Sequence, residues 1–167
     1  MRKNLTIILF ALLASVLAGC GDDESNKTDV FANLRGSNSS EWTGATQKAA
    51  SIIIGKWELV YDGATQERVD SYNSFAEFSL DGVVKYEKNV GEDSYSVTST
   101  QFTIENDWVY DKSGCLTGHI KSSAFGYNGY FLCTIGDPTT DHLYIYPDEG
   151  QDIRYLVDPG VGFKKLK

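Results

Sequence analysis

The chain has 167 residues, of which 15 are basic and 23 acidic, giving a formal charge of −8. This length suits one domain together with a leader segment. The phosphates of nucleic acid would repel a chain with so many acidic residues, and we therefore expect no nucleic-acid partner. Ten Tyr, eight Phe and three Trp favour β-strands.

The first 20 residues carry the pattern of an export signal. Two basic residues precede an apolar run from Leu5 to Ala18, which is shorter than the roughly 20 residues of a stable membrane span. The run ends in LAGC at residues 17–20, which resembles the lipobox of bacterial lipoproteins. That resemblance implies a signal peptide at residues 1–19 and a Cys20 thiol that carries fatty acyl chains such as palmitate, anchoring the chain in a membrane. The alternative is an ordinary signal peptide with an incidental cysteine.

An acidic run follows the cysteine. Asp22, Asp23 and Glu24 resemble the surface-export signal of Bacteroidetes lipoproteins, which implies an outer-membrane lipoprotein exposed on the cell surface. A periplasm-facing anchor is the alternative, with the acids serving only as a solvated spacer. Without residues 1–19, 13 basic residues face 23 acidic ones, a formal charge of −10.

Residues 20–40 are rich in Asp, Asn, Ser and Gly and lack apolar periodicity, which predicts a lipidated flexible tether. Residues 41–167 then form the predicted folded domain. This domain begins with apolar residues at helical spacing, which predict a short helix. They are Trp42, Ala45, Ala49, Ile52 and Ile53.

From Ile53 onward, apolar residues recur at every second position, the period of a half-buried strand. Asp81-Gly82 lies between two such runs and predicts a hairpin. About ten strands are expected in all, and closure into a barrel would hide both sheet edges. Beyond the first hairpin, the predicted strands are Ser94–Glu105, Asp107–Asp111, Cys115–Lys121, Gly129–Ile135, His142–Pro147, Asp152–Val157 and Val161–Leu166.

Gly55-Lys56-Trp57 matches the Gly-x-Trp of the first lipocalin strand. Together with the segments FSLDGVVKY, LYIY and FKKL, it makes Ile52–Lys167 resemble the lipocalin-like lipoproteins of Bacteroidetes. The resemblance implies an all-β fold, a small antiparallel up-and-down barrel of about 8–10 strands with a short N-terminal helix. It further implies that Trp57 plugs one end and that Lys164 or Lys165 packs over it. Alternatively, Trp57 is an ordinary core residue and both lysines are solvated.

Two cysteines remain in the folded domain. Cys115 and Cys133 each stand nine residues from Ala124, so a hairpin centred there would place them opposite each other and allow a disulfide. Two buried thiols are the alternative. The two histidines, His119 and His142, show no metal-ligand spacing, and no catalytic motif is present. We therefore expect no metal, no cofactor and no enzymatic activity.

A ligand cavity is the remaining candidate site. In an up-and-down barrel of the predicted strands, the connections 62–71, 90–93, 112–114 and 136–141 would share the open end. Tyrosines there would line a pocket for a small apolar or amphipathic ligand, unless they pack a solid core. These tyrosines are Tyr61, Tyr72, Tyr95 and Tyr130. The alternative function is that of a protein-interaction module, either an accessory subunit of a surface complex or an inhibitor-like barrel.

Overall fold

The computed structural model describes residues 29–36, 41–63, 67–68, 71–91, 94–125, 129–136, 141–148 and 160–167. Only the backbone is described for Arg68 and Tyr130. The predicted signal peptide, Cys20, the acidic run and the predicted strand Asp152–Val157 lie outside these residues. Within them, no helix has both the length and the apolar character needed to cross a membrane.

The described elements are one α-helix, one 3-10 turn and ten strands. The helix is α1 (Gly44–Ile53), and the 3-10 turn is Ala32–Leu34. The strands are β1 (Gly55–Asp62), β2 (Glu67–Arg68), β3 (Phe75–Phe78), β4 (Val83–Gly91), β5 (Ser94–Ile104), β6 (Val109–Tyr110), β7 (Leu116–Ser122), β8 (Gly129–Ile135), β9 (His142–Pro147) and β10 (Val161–Lys165).

Eight of the described strands close into an antiparallel barrel. The order around the barrel is β1-β3-β4-β5-β7-β8-β9-β10, and β10 pairs back with β1. The short strands β2 and β6 add to β1 and β7 and are not part of the closed ring. The structure thus confirms the all-β fold class, a closed antiparallel barrel preceded by a short helix.

The predicted Asp-Gly hairpin joins β3 to β4. Gly82 has φ +79, and a Cβ there would lie 2.7 Å from the backbone oxygen of Asn33, so only glycine fits. The Asp81 carboxylate accepts a hydrogen bond from the Val83 N–H at 3.2 Å and shapes the turn. The turn thereby brings the barrel against the chain segment that precedes the helix.

The segment 29–36 packs on the barrel, which differs from the predicted tether of residues 20–40. Leu34 is fully buried in the core, and Arg35 forms a parallel bridge with Ile104. Arg35 also pairs with Asp29, their Nη2 and Oδ2 atoms lying 2.7 Å apart. Phe31 and Leu34 are apolar residues three positions apart, and both pack against the core. Their burial explains why segment 29–36 packs on the barrel.

The helix α1 covers the end of the barrel at which β1 begins, and we call this the closed end. Thr43 caps the helix, its hydroxyl accepting a hydrogen bond from the Thr46 N–H at 3.2 Å. The Asn106 side chain accepts from the Thr43 N–H at 2.9 Å and ties the cap to the chain after β5. The hydrogen bond from the Lys165 N–H to the Asp141 oxygen, 2.7 Å, places the connection before β9 at this end.

The predicted set of open-end connections is therefore partly wrong. The connections 112–114 and 136–141 lie at the closed end, where β7 begins opposite the last residue of β8. The error arises because β6 was counted as a barrel strand, whereas it is a two-residue addition to β7. One extra strand reverses the direction assigned to every strand that follows.

Candidate functional site

At the closed end, Trp57 is fully buried and its indole N–H donates to the Ile53 oxygen at 2.7 Å. The Lys165 Nζ lies 5.1 Å from the centroid of the Trp57 ring and donates to the Ile52 oxygen at the end of α1. Of the two lysines that the lipocalin resemblance suggested, Lys165 therefore lies over the tryptophan, directly across from it in the β1–β10 register. Lys164 pairs with Glu58 in that register and is exposed.

Gly55 begins β1 with φ +125, which favours glycine, and a Cβ there would lie 3.4 Å from the Lys165 side chain. The backbone of Gly55, the indole ring of Trp57 and the aliphatic part of the Lys165 side chain thus pack together. These residues seal the end of the barrel, and the arrangement is structural in character.

The predicted disulfide is wrong. Cys115 and Cys133 are both buried thiols with no bond between them. The β7–β8 hairpin pairs Gly118 with Cys133, so Cys115 precedes the ladder and lies beside Gly136. The two cysteines are three register positions apart, and only Cys133 belongs to the barrel core. Burial also raises the pKa of the Cys133 thiol, which keeps it unreactive.

The structure does not bring the four predicted ligand-binding tyrosines together. Tyr61 packs on the outside of the barrel, where its Cβ faces Gly162. The Tyr72 hydroxyl donates to the Glu67 oxygen at 2.9 Å, and its ring packs against the edge of the core. Tyr95 is 47% exposed on β5. The side chain of Tyr130 lies outside the described part of the structure.

Among the described residues, aromatic rings pack together inside the barrel toward the end opposite α1, which we call the far end. Phe125, from the connection after β7, packs within 5.2 Å of the Tyr86 ring and 6.0 Å of the Phe163 ring, measured between centroids. It also contacts Phe131 and Phe78 at 5.7 and 6.3 Å. Burial and then the nearby Asp62 charge raise the pKa of Tyr86 to about 12. Sequence reasoning missed Phe125 because it stands outside any alternating pattern.

A histidine and two aspartates form the clearest charged cluster on the outer face. His119 Nδ1 contacts Asp107, and His119 Nε2 lies 2.8 Å from Asp148 Oδ2. The hydrogen bond to Asp107, with help from Asp148, raises the pKa of His119 against the effect of burial. Burial favours the neutral form of Asp107, but hydrogen bonds from the His119 side chain and backbone hold the pKa of Asp107 below its ordinary value.

This cluster fixes the chain between β5 and β6. The His119 N–H donates to Asp107 at 3.0 Å, and the Trp108 indole N–H donates to the His119 oxygen at 3.3 Å. Trp108 then fills the space over Gly118, where a Cβ would lie 2.5 Å from the indole ring. No group of three His, Cys, Asp or Glu side chains in the described ranges is arranged to hold a metal ion. The cluster therefore acts as a clip that holds a core tryptophan.

The hairpin of β4 and β5 extends beyond the barrel at the far end. β3 pairs with β4 only as far as Glu87, and β7 pairs with β5 only from Phe102 to Ile104. Past these limits, Lys88, Asn89 and Gly91 of β4 pair only with Ser96, Tyr95 and Ser94 of β5. Val97–Gln101 pair with Val83–Glu87 and extend past the end of β7. Tyr95 and Val97 are 47% and 55% exposed on one strand, and Val90 is 61% exposed on the other. We call this feature the far-end hairpin.

The sequence contains a signal for this hairpin that the strand assignment did not use. β5 has 11 residues, all without charge, whereas β3 has four. A strand that is much longer than its neighbours must extend past them, and an exposed strand without charge is unusual because edges are ordinarily protected. Comparing strand lengths would have identified the extension.

Fold and site together describe a small closed antiparallel barrel, consistent with the lipocalin-like type, with a filled far end and a projecting hairpin. Compared with known proteins, the chain matches no family model, no curated protein and no solved structure.

Proposed function

We propose that the protein is a noncatalytic protein-interaction module held at a membrane by a lipid on Cys20, and that the far-end hairpin is its contact surface. The observation that carries this proposal is the exposure of Tyr95, Val97 and Val90 together on a projecting element. Exposed apolar side chains that cluster on one surface are typical of interaction sites. This choice favours the second of the two functions that the sequence left open.

The filled far end supports the choice. Lipocalin-type ligand capture requires an interior pocket, and pockets for small molecules occupy roughly 300 Å³ or more. Phe125 occupies the described interior at the point where such a pocket would open, in contact with four other rings. The hairpin, in contrast, presents its apolar side chains to solvent.

The position of the hairpin fits a tethered protein. Segment 29–36, the described part of the chain that follows Cys20 most closely in sequence, packs at the closed end beside Gly82 and Ile104. Gly91 and Ser94, the described residues on either side of the connection between the two hairpin strands, lie at the far end. A chain anchored at Cys20 would therefore present the hairpin away from the membrane. We propose outer-membrane anchoring with exposure on the cell surface, and a periplasm-facing anchor is the alternative.

Site-specific photo-crosslinking in intact cells tests the interaction function. A photoreactive phenylalanine analogue at residue 95 is expected to crosslink to a protein, whereas the same probe at the exposed Glu77 of β3 is not. A crosslink to a protein from residue 95 and not from residue 77 supports the proposal. Equal crosslinking at both positions, or none at either, would contradict it.

Capture of a small apolar or amphipathic molecule is a second candidate, supported by the origin of Phe125 in a connection and not in a strand. Removal of that ring would leave a space lined by Phe78, Tyr86, Phe131 and Phe163. Native mass spectrometry of the full chain from its own cells checks this: a copurifying small molecule supports capture. If neither the natural chain nor Phe125→Ala carries one, capture is ruled out.

A further inference from the structure

We propose that the free edge of β5 in the far-end hairpin pairs antiparallel with the same edge of a second copy of this chain. This inference rests on the proposed interaction function and names the partner and the mode of contact. The two copies would be related by a twofold axis at Val97, an arrangement in which one surface patch serves both partners.

The direction of the backbone groups defines the free edge. The Phe102 N–H donates to the Gly82 oxygen at 2.8 Å, toward the β4 side. Successive residues of an antiparallel strand direct their N–H and C=O groups to alternate sides. The backbone groups of Tyr95, Val97 and Ser99 therefore point away from β4. In the described structure, β5 has no second strand partner until Phe102.

The opposite edge of the hairpin is protected. The Asn89 N–H of β4 donates to the Ser74 hydroxyl at 2.9 Å, and the Gly91 N–H donates to the Asn89 side chain at 2.8 Å. A register shift between Asn89 and Gly91 also distorts this strand. Ser94–Gln101 contains no charge, no proline and no bulge, and among the described residues the chain after β7 reaches it at Thr100, whose hydroxyl lies 3.0 Å from the Ser123 hydroxyl. Because the β5 edge is the open one, a partner strand can add to the hairpin on the β5 side and not on the β4 side.

Charge favours a second copy as the occupant. Two anchored copies without residues 1–19, each with 13 basic and 23 acidic residues and a formal charge of −10, repel one another, so they can meet closely only where the surface is locally neutral. The edge itself carries no charged residue. Beside it lies Glu87, which pairs with Val97, and the Oε1 atom of Glu87 is 2.5 Å from the Lys85 Nζ atom. A basic or acidic partner would find no complementary charge on this edge, whereas an identical edge needs none.

The sequence of the edge is close to self-complementary. Antiparallel pairing about Val97 places Val97 opposite its copy and Tyr95 opposite Ser99 of the other chain. Each of these pairs exchanges two backbone hydrogen bonds, about six in all, and the exposed Tyr95 and Val97 side chains meet on one face. A contact of this size is small for a stable complex in solution, but confinement of both chains to one membrane raises their effective concentration.

Cysteine crosslinking of the full chain, in the membranes of its own cells, tests the pairing. In a hydrogen-bonded pair the two Val97 Cα atoms would lie about 5.5 Å apart, within the range that a disulfide spans. Val97→Cys should therefore give about tenfold more disulfide-linked dimer than Glu77→Cys, an exposed control on β3. The natural chain measures any dimer formed through the native cysteines.

A second pair of variants separates backbone pairing from simple apolar contact. Val97→Pro removes an N–H that points away from β4, so the hairpin keeps its own hydrogen bonds. In the membranes of its own cells, a lysine-reactive chemical crosslinker should give at least about tenfold less dimer from Val97→Pro than from the natural chain, and about as much from Val97→Thr. Circular dichroism spectra that match that of the natural chain verify folding.

The outcomes distinguish this inference from the function on which it rests. Dimer formed by Val97→Cys and not by Glu77→Cys supports the pairing. Equal dimer from both variants, or none from either, overturns it. If residue 95 crosslinks only to other proteins while Val97→Cys remains monomeric, the pairing is wrong and the interaction function stands. If residue 95 crosslinks to no protein, the interaction function falls as well.

Discussion

At the scale of single residues, Lys165 and Lys164 show how neighbours with the same side chain take different roles. The two stand on opposite faces of β10, so one lies over Trp57 and the other faces solvent. The sequence identified both as candidates but could not choose between them, because the choice depends on the register between β1 and β10. A shift of one residue would exchange their faces.

Replacing Lys165 with methionine should destabilise the barrel, because the ammonium group contacts the Trp57 ring and donates to the Ile52 oxygen at the end of α1. The expected loss is about 1–2 kcal/mol in the free energy of unfolding. Lys164→Met, its matched control, should change that free energy by less than about 0.5 kcal/mol. Urea unfolding measures both, and equal losses would show that the lysine over the tryptophan has no special contribution.

The His119 clip predicts a pH dependence of stability. Because its pKa is raised above 6.5 in the fold, the contribution of His119 is complete below pH 6.5 and is lost as pH rises through the folded-state pKa. Because the pKa of Asp107 is lowered below 3.8, its contribution is complete above pH 3.8 and is lost as pH falls through the folded-state value. The clip should therefore stabilise most between pH 3.8 and 6.5.

We expect His119→Gln to cost about 1–2 kcal/mol at pH 5.5 and clearly less at pH 8.5, since a neutral imidazole is the weaker partner for two carboxylates. Urea unfolding of the natural chain and the variant at both pH values gives this difference. His142 is present in both proteins, so its contribution cancels in the comparison. A cost that is the same at both pH values would mean that the imidazolium form is not what holds the clip.

At the scale of elements, alternation predicted the barrel strands because their inward residues must be buried, as in β9 with Leu143 and Ile145. Alternation could not predict where each hairpin turns. The assumed centre at Ala124 led to the wrong cysteine pairing, whereas the observed register sets Gly118 against Cys133. Alternation does limit the register, because an odd shift exchanges the two faces. The inward residues Leu116 and Ile120 of β7 and Phe131 of β8 agree with the observed register and not with the assumed one, which differs by three residues.

The connection that carries Trp108 was also hidden from the sequence. Its indole enters the barrel over Gly118, and nothing in a local pattern links two residues on different elements. Gly118→Ala should therefore destabilise the fold by about 1–3 kcal/mol, because the added methyl meets the rigid ring. Thermal unfolding is the measurement.

Gly44→Ala is the matched control for that prediction. Gly44 is the first residue of α1, and a Cβ there would meet no atom within 4 Å. We expect this substitution to stabilise the protein slightly, by up to about 1 kcal/mol, because alanine restricts the unfolded chain. If both variants shift the melting temperature in the same direction, the close packing of Trp108 on Gly118 is not the cause.

At the scale of the whole molecule, the two ends of the barrel have different characters. The closed end joins α1, Trp57 and the segment 29–36, whereas the far end carries the filled aromatic interior and the hairpin. A chain anchored through residues before this segment would hold the far-end hairpin, its proposed contact surface, away from the membrane. The direction in which that surface faces then depends on the side of the membrane that receives the anchor.

Protease treatment of intact cells checks the predicted location. If Cys20 is acylated and Asp22, Asp23 and Glu24 direct export, the natural chain should incorporate labelled palmitate and be cleaved by added protease. Replacing the three acids with alanine should keep the label but protect the chain, because the anchor stays while the export signal is lost. Cys20→Ser should lose the label and leave the membrane fraction, since its anchoring acyl chains are gone. A natural chain that is labelled yet protected would instead establish the periplasm-facing alternative, in which the hairpin meets its partner below the outer membrane.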